Sequence, residues 1–369
     1  NLSWPIISNL PMDPLDHTFV DVNDLILQHF KSKDVLQSSL VTKVWYETIG
    51  SSKICMQKIW LRIDNPAQQV NLLKISARKY QNFRIQPGLR KKLAEVIKRF
   101  SPKIAMITDE NEVDHDEYYS FMKSIAPTIE QLHPGEATMK NAFKLRSLDF
   151  PNLKELQCTI TDGFSFSTFL GKCPKLEKVL FAFTNEVTSD LLIPYNLIHR
   201  FFQSNPQIKS LWLCEIDCVF LYDITYNISL DLRIFAFGKT TEGFSMKMKE
   251  HLVKFIKLQK NLEWLKILCL HDREVFMRIW TETSFRRLFI MDCSLFSHEL
   301  QKNFIVEEIN FYLNPSCRIL KFLSLSPNLI TFRVRQLSKQ IMEFSAKNLP
   351  RLESIQFQSV ESDVGKIYE

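Results

Sequence analysis

The chain has 369 residues, 45% hydrophobic and 24% charged, the balance of a protein with a buried core. A net charge of +6, thinly spread, falls short of the dense basic face of a nucleic-acid binder, and only eight glycines are present to form phosphate-cradling turns. No stretch approaches the ~20 apolar residues that span a bilayer, and residues 1 to 30 show no charged-then-apolar leader pattern, so no membrane partner is expected.

Residues 1 to 18 read as an N-terminal extension and residues 19 to 63 as a small all-α head. Leu25, Ile26, Phe30, Leu36, Leu40, Val41 and Val44 recur at helical spacings, broken by the polar turn Lys31-Ser32-Lys33-Asp34. Asp34 is the expected N-cap of a helix starting at Val35. Two or three helices of this size bury too little to stand alone, so they must pack on the first repeats or on another protein.

From residue 64 onward the chain is periodic. The unit is apolar-x-x-apolar-x-apolar, as in Leu153/Leu156/Cys158, Leu176/Val179/Phe181, Ile208/Leu211/Leu213 and Leu232/Phe235/Phe237. It continues through Leu262/Leu265/Ile267, Phe285/Leu288/Ile290, Val306/Ile309/Phe311, Leu329/Phe332/Val334 and Leu352/Ile355/Phe357. Fainter copies stand earlier, at Met56/Ile59/Leu61, Tyr80/Phe83/Ile85, Ile104/Ile107 and Ile129/Leu132. Successive starts lie 24, 24, 25, 24, 23, 32, 24, 30, 23, 21, 23 and 23 residues apart, a register that random apolar spacing would not hold. The fourth and sixth positions of each unit point the same way from a short strand. Between strands run helix-spaced apolar residues, such as Leu93, Val96, Ile97 and Phe100, or Leu252, Val253, Phe255 and Ile256. One strand and one helix cannot bury their own apolar faces, so stacked copies must share a core.

Along the way, Arg90, Lys91, Lys92, Lys98, Arg99 and Lys103 form a basic cluster, read as the solvated face of a helix over residues 89 to 100. The acidic run Asp109, Glu110, Glu112, Asp114, Asp116 and Glu117 reads as an exposed loop, without the glycine turn of a calcium site.

The residues flanking the fourth and sixth positions face away from the helices. Among them Trp212, Trp264, Phe289 and Tyr312 make an aromatic group, joined by Arg287, Arg333 and Arg335. Tryptophan, tyrosine and arginine dominate binding energy at protein interfaces, and arginine pairs well with carboxylate or phosphate. This face is therefore the expected site for an acidic or phosphorylated segment of a protein substrate. A one-residue slip of register would instead bury these side chains.

No Gly-x-Ser-x-Gly, His-Glu-x-x-His or paired Cys-x-x-Cys spacing occurs, so no catalytic residue, metal ligand or cofactor is assigned. Cys214-x-x-x-Cys218 and Cys269-x-His271 are the nearest approaches to a ligand pair, and their place in or just after strands points to buried structural roles. The eight cysteines are scattered without the paired caps of secreted repeats, which points to reduced thiols in the cytoplasm, the nucleus or both.

Two resemblances organise these readings. Pro151-Asn152-Leu153, Pro174-Lys175-Leu176 and Pro327-Asn328-Leu329, each opening a repeat, resemble the leucine-rich-repeat family in a degenerate form. The asparagine or cysteine expected eight residues after each start survives only as Cys293 and Asn314. In the head, Asp24 to Leu36 and Ser39-Leu40-Val41-Thr42-Lys43-Val44-Trp45-Tyr46 resemble the F-box, with Thr42 in the cysteine position of its second half. Asp21-Val22 stands where that family opens with Leu-Pro. The resemblance implies an α/β chain: a leucine-rich-repeat solenoid over residues 64 to 369, of about twelve irregular repeats with a curved parallel sheet inside and helices outside, behind an F-box-like head. It implies a non-enzymatic substrate adaptor of a cullin-type ubiquitin ligase, with Leu25, Phe30, Leu36, Leu40, Val41 and Trp45 docking a Skp1-type linker. The alternative is a leucine-rich-repeat interaction scaffold unconnected with ubiquitination, its head only a cap.

Overall fold

The computed structural model describes residues 27–76, 78–85, 91–107, 115–134, 148–160, 173–183, 195–214, 218–238, 245–270, 272–291, 302–303, 305–312, 320 and 322–360. The chain divides into two compact units, one ending at Thr138 and the other starting at Met139.

Among the described residues, the first unit carries three short helices ahead of its strands, α1 (Ser32–Ser38), α2 (Lys43–Ser51) and α3 (Lys53–Met56). Four parallel strands follow, β1 (Trp60–Ile63), β2 (Asn82–Ile85), β3 (Ile104–Ile107) and β4 (Gln131–His133), each paired with the next in sequence. Between them lie α4 (Pro66–Ile75), α5 (Lys91–Ile97) with a closing 3-10 turn at Lys98–Phe100, and α6 (His115–Ile125). Helix α1 begins three residues earlier than the sequence suggests. Asp34 lies inside its first turn and reaches back to accept the Lys31 N–H at 3.0 Å, half of a capping box, so it is not the N-cap itself. Thr42 caps α2, its hydroxyl accepting the Trp45 N–H at 3.2 Å. Leu27, Val35, Ile49, Cys55, Met56 and Ile59 form the core of this head, with Phe30, Trp45 and Tyr80 packed against it. Tyr80 leads into β2, so the head does rest on the first repeats.

Register corrects two of the four fainter repeat copies. Leu61 and Ile63 of β1 stand beside Phe83 and Ile85 of β2, which stand beside Ala105 and Ile107 of β3. The first and third copies are thus each displaced by two residues from their sequence assignment. A slip of two preserves the facing of every side chain, which is why alternation alone could not detect it. The end of the acidic run is also helical: Asp116 and Glu117 occupy the first turn of α6, where the helix dipole favours negative charge. Residues 109 to 114 lie outside the described residues.

The second unit repeats the pattern with parallel strands β5 (Glu155–Ile160), β6 (Lys178–Phe183), β7 (Ser210–Cys214), β8 (Ile234–Gly238), β9 (Trp264–Cys269), β10 (Arg287–Ile290), β11 (Glu308–Phe311), β12 (Thr331–Leu337) and β13 (Ser354–Val360). Each hydrogen-bonds to its sequence neighbour. Helices α7 (Tyr195–Ser204), α8 (Cys218–Tyr226), α9 (Met246–Leu258), α10 (Arg273–Glu282) and α11 (Lys339–Asn348) fill connections between them.

The fourth template position is the spine of this unit. Leu156, Val179, Leu211, Phe235, Leu265, Leu288, Ile309 and Phe332 are all 0% exposed. Helices cover the face on which they stand: Phe235 of β8 meets Phe255 of α9 at 5.1 Å between ring centroids, and Phe181 of β6 meets Phe201 of α7 at 5.8 Å and Phe220 of α8 at 6.2 Å. A backbone device recurs at the strand entrances, where one carbonyl accepts two successive N–H groups from the next repeat. The Lys209 carbonyl takes those of Arg233 and Ile234 at 2.8 and 3.0 Å, and the Glu307 carbonyl those of Ile330 and Thr331 at 2.8 and 3.0 Å. Buried amides stitch neighbouring units: Gln259 accepts the Leu232 N–H at 3.1 Å and donates to the Phe255 carbonyl at 3.3 Å.

Candidate functional site

On the sheet face opposite the helices of the second unit, the pairing assembles two continuous rows. One runs Glu155, Lys178, Ser210, Ile234, Trp264, Arg287, Glu308, Thr331, Ser354. The other runs Gln157, Leu180, Trp212, Ala236, Lys266, Phe289, Asn310, Arg333, Gln356. These are the side chains that alternation places outward, and adjacent members sit about 4.8 Å apart across the strands.

The aromatic residues of the face are held by cations. Lys266 leans across the fully buried Ala236 and sets its ammonium 4.4 Å from the Trp212 ring centre and 5.5 Å from that of Trp264. Lys178 approaches the same Trp212 ring at 5.1 Å, and Arg287 lies 5.2 Å from Trp264. All four distances are within the reach of a cation–π attraction. The Trp212 indole N–H is fixed by donation to the Ser210 hydroxyl at 3.0 Å. Trp212, Trp264 and Arg287 therefore do come together, with Phe289 beside Lys266 in the same row. Tyr312 and Arg335 make a second group, with the guanidinium 5.9 Å from the half-exposed phenol ring.

The charges are unevenly matched. Lys178 pairs with Glu155 at 2.8 Å. Glu308, with a side chain 11% exposed, stands between Arg287 at 3.4 Å and Arg333 at 3.3 Å. Two of the three expected arginines thus already share a carboxylate of the chain itself. Lys266 has no carboxylate partner among the described residues. Burial, reinforced by the nearby Lys178, lowers its pKa from the ordinary lysine value. Lys178, Lys266 and Glu308 were missed as site residues because a lone charge on an alternating strand reads as ordinary solvent-facing polarity. Their positions between the aromatic strands in the same rows were the available signal.

In the head, the six expected linker contacts separate. Phe30 and Trp45 stack on each other at 6.3 Å with planes 11° apart and pack against the head core. Leu36, Leu40 and Val41 instead face solvent, 44%, 74% and 66% exposed. Leu25 lies outside the described residues. Lys58 anchors this arrangement by donating to the carbonyls of Leu27, Gln28 and Phe30. Arg78 donates to the Ser39 hydroxyl at 3.0 Å and covers the Tyr46 ring at 4.7 Å.

Among the described residues no group of three or more histidine, cysteine, aspartate or glutamate side chains could hold a metal ion, and no helix is long and apolar enough to cross a membrane. Burial pushes the Cys158 thiol well above its ordinary value and that of Cys173 to about 12, so neither is a ready thiolate. Of the two cysteine pairings weighed from sequence, the side chains of Cys218, Cys269 and His271 lie outside the described residues.

No protein-family model matches the chain, and no curated protein does either. Among solved structures, the crystal structure of a protein from Bacteroides fragilis is similar over 63% of this chain and 74% of that one, at 11% identity and a TM-score of 0.42. So loose a likeness carries no argument, and what is established rests on the chain's own geometry: an α/β protein of two units, in each of which parallel strands follow one another in sequence order with helices between them.

Proposed function

We propose that the protein is a substrate-recognition adaptor of a cullin-type ubiquitin ligase, non-enzymatic itself and acting in the cytoplasm, the nucleus or both. Its F-box-like head docks a Skp1-type linker, and its leucine-rich-repeat solenoid, with the sheet on the inside of the curve, holds a protein substrate for chemistry performed by other subunits. The observation that carries this reading is the exposure of Leu36, Leu40 and Val41 on a head in which Leu27, Val35, Ile49, Cys55, Met56 and Ile59 build a core. Large aliphatic side chains left in water around one helix–turn–helix are what a partner surface needs. They belong to the stretch on which the F-box likeness rests.

The second reading is a repeat scaffold whose head is only a cap. It draws on the packing of Phe30, Trp45 and Tyr80 into the head core and on the Arg78–Ser39 bond.

The deciding experiment mixes the purified chain with a Skp1-type linker on a sizing column, beside a Leu40→Asp/Val41→Asp variant. Both positions are exposed, so the variant should melt with the wild type. A stoichiometric complex formed by the wild type and lost in the variant is expected. A folded wild type that forms no complex would leave only the scaffold.

A further inference from the structure

We infer that the centre of the strand face in the second unit is a receptor for an acidic, partly apolar peptide segment, and that Lys266 is the cation that receives its carboxylate. The inference rests on the adaptor reading only in taking the ligand to be a protein. It moves the anion site from where the sequence put it. Arg287, Arg333 and Arg335 were the expected partners of an acidic group, yet Glu308 already lies within 3.4 Å of the first two, and Arg335, on β12 three strands from Trp264, stands against Tyr312. Lys178 is likewise engaged by Glu155 at 2.8 Å. What is left beside the two indoles is Lys266, half-buried, 4.4 Å from one and 5.5 Å from the other, with no carboxylate of its own among the described residues.

A cation so placed has lost part of its hydration without gaining a counter-charge, and two aromatic rings compensate only in part. An incoming carboxylate would restore the balance and form a charge-assisted hydrogen bond. The wider field favours the same ligand: Lys178, Lys266, Arg287, Arg333 and Arg335 outnumber Glu155 and Glu308. The surroundings ask for apolar neighbours as well, since Ile234 and Phe289 stand on the strands either side of the cation and Leu180 stands beside Trp212, each only partly buried.

Nucleic acid fits less well. Base stacking needs an open ring, and the Trp212 ring already carries two ammonium groups within 5.1 Å. Glu155 and Glu308 would also stand against a phosphate chain.

The test uses the full chain and three fluorescein-labelled probes: a peptide alternating glutamate and leucine, its glutamine–leucine counterpart, and a single-stranded oligouridylate. Anisotropy reads binding, and the part of the tryptophan emission that is lost in Trp212→Phe and Trp264→Phe variants reports on those two of the six tryptophans. The glutamate peptide should bind and shift the tryptophan emission, while the glutamine peptide binds at least about tenfold more weakly. Lys266→Gln should weaken the glutamate peptide by roughly tenfold. Lys257→Gln, the same loss of charge on the exposed side of α9, should leave it unchanged. Equal binding of both peptides, an unaffected Lys266→Gln variant of native circular dichroism, or preference for oligouridylate would each overturn the inference. A chain that binds the glutamate peptide but no linker keeps this inference and loses the adaptor. A chain that binds the linker but no peptide does the reverse.

Discussion

Replacing Glu308 by glutamine would test the charge reading of the strand face most directly. The substitution keeps the volume of a side chain only 11% exposed and removes its charge from between Arg287 at 3.4 Å and Arg333 at 3.3 Å. With an effective dielectric of about 20, each pair at such a distance is attracted by roughly 5 kcal/mol before other costs. Against this stands the desolvation of the carboxylate, itself several kcal/mol, which glutamine largely avoids. The two arginine side chains are 47% and 40% exposed, so water screens what remains. The net loss of stability should therefore be about 1–2 kcal/mol, read as a lower urea midpoint at unchanged slope. Binding should move the other way. Two arginines freed of their internal carboxylate add positive charge beside Lys266, so the glutamate–leucine peptide should bind about threefold to tenfold more tightly in low salt, and the gain should shrink as salt rises. A variant that stays folded yet binds the peptide no better, or more weakly, would refute the view that Glu308 neutralises these arginines.

Other expectations follow from packing, capping and titration. Phe202 is 1% exposed and meets Phe201 at 5.2 Å and Phe181 and Phe220 at 6.4 Å, so Phe202→Ala should cost about 3–5 kcal/mol in urea unfolding, whereas Tyr226→Ala, at a ring 46% exposed, should cost no more than about 1 kcal/mol. Thr42→Ala should destabilise the head by about 0.5–2 kcal/mol and Thr42→Ser should restore it, because a hydroxyl is all the cap of α2 requires; amide exchange at Trp45 would report it. His251 sits against the rings of Tyr222 at 5.2 Å and Tyr226 at 5.5 Å. Burial lowers its pKa from the ordinary 6.5, with Lys254 and Lys247 adding to the effect and Glu250 opposing it. The unfolded chain then takes up the proton more readily, so this contribution to stability is present above the ordinary value and lost as pH falls through the folded one. The urea midpoint should drop between about pH 7.5 and pH 5, and His251→Gln should lessen the drop; an unaltered pH slope would show that His251 does not contribute.

The amino-acid sequence by itself determined the alternation and the period. A buried strand position must be apolar on every copy, so Leu156, Val179, Leu211, Phe235 and their successors were legible as a spine, and with them the side chains facing the other way. Helical spacing likewise marked Leu93 to Phe100 and Leu252 to Ile256, which fall in α5 with its closing turn and in α9. Phase was less secure where copies are faint: β1 and β3 each sit two residues from their sequence assignment, because a shift of two leaves every facing intact. Tertiary structure alone decided which outward residues meet. Nothing local to Lys266 says that its ammonium crosses Ala236 to reach Trp212, or that Glu308 stands between Arg287 and Arg333. Such contacts depend on strand register across separate repeats, and charge pairing is a property of distances that a single chain's alternation does not carry. For the same reason the pattern of the head could list Phe30, Trp45, Leu40 and Val41 together, while only packing could divide them into a stacked pair held against a core and a pair left facing water.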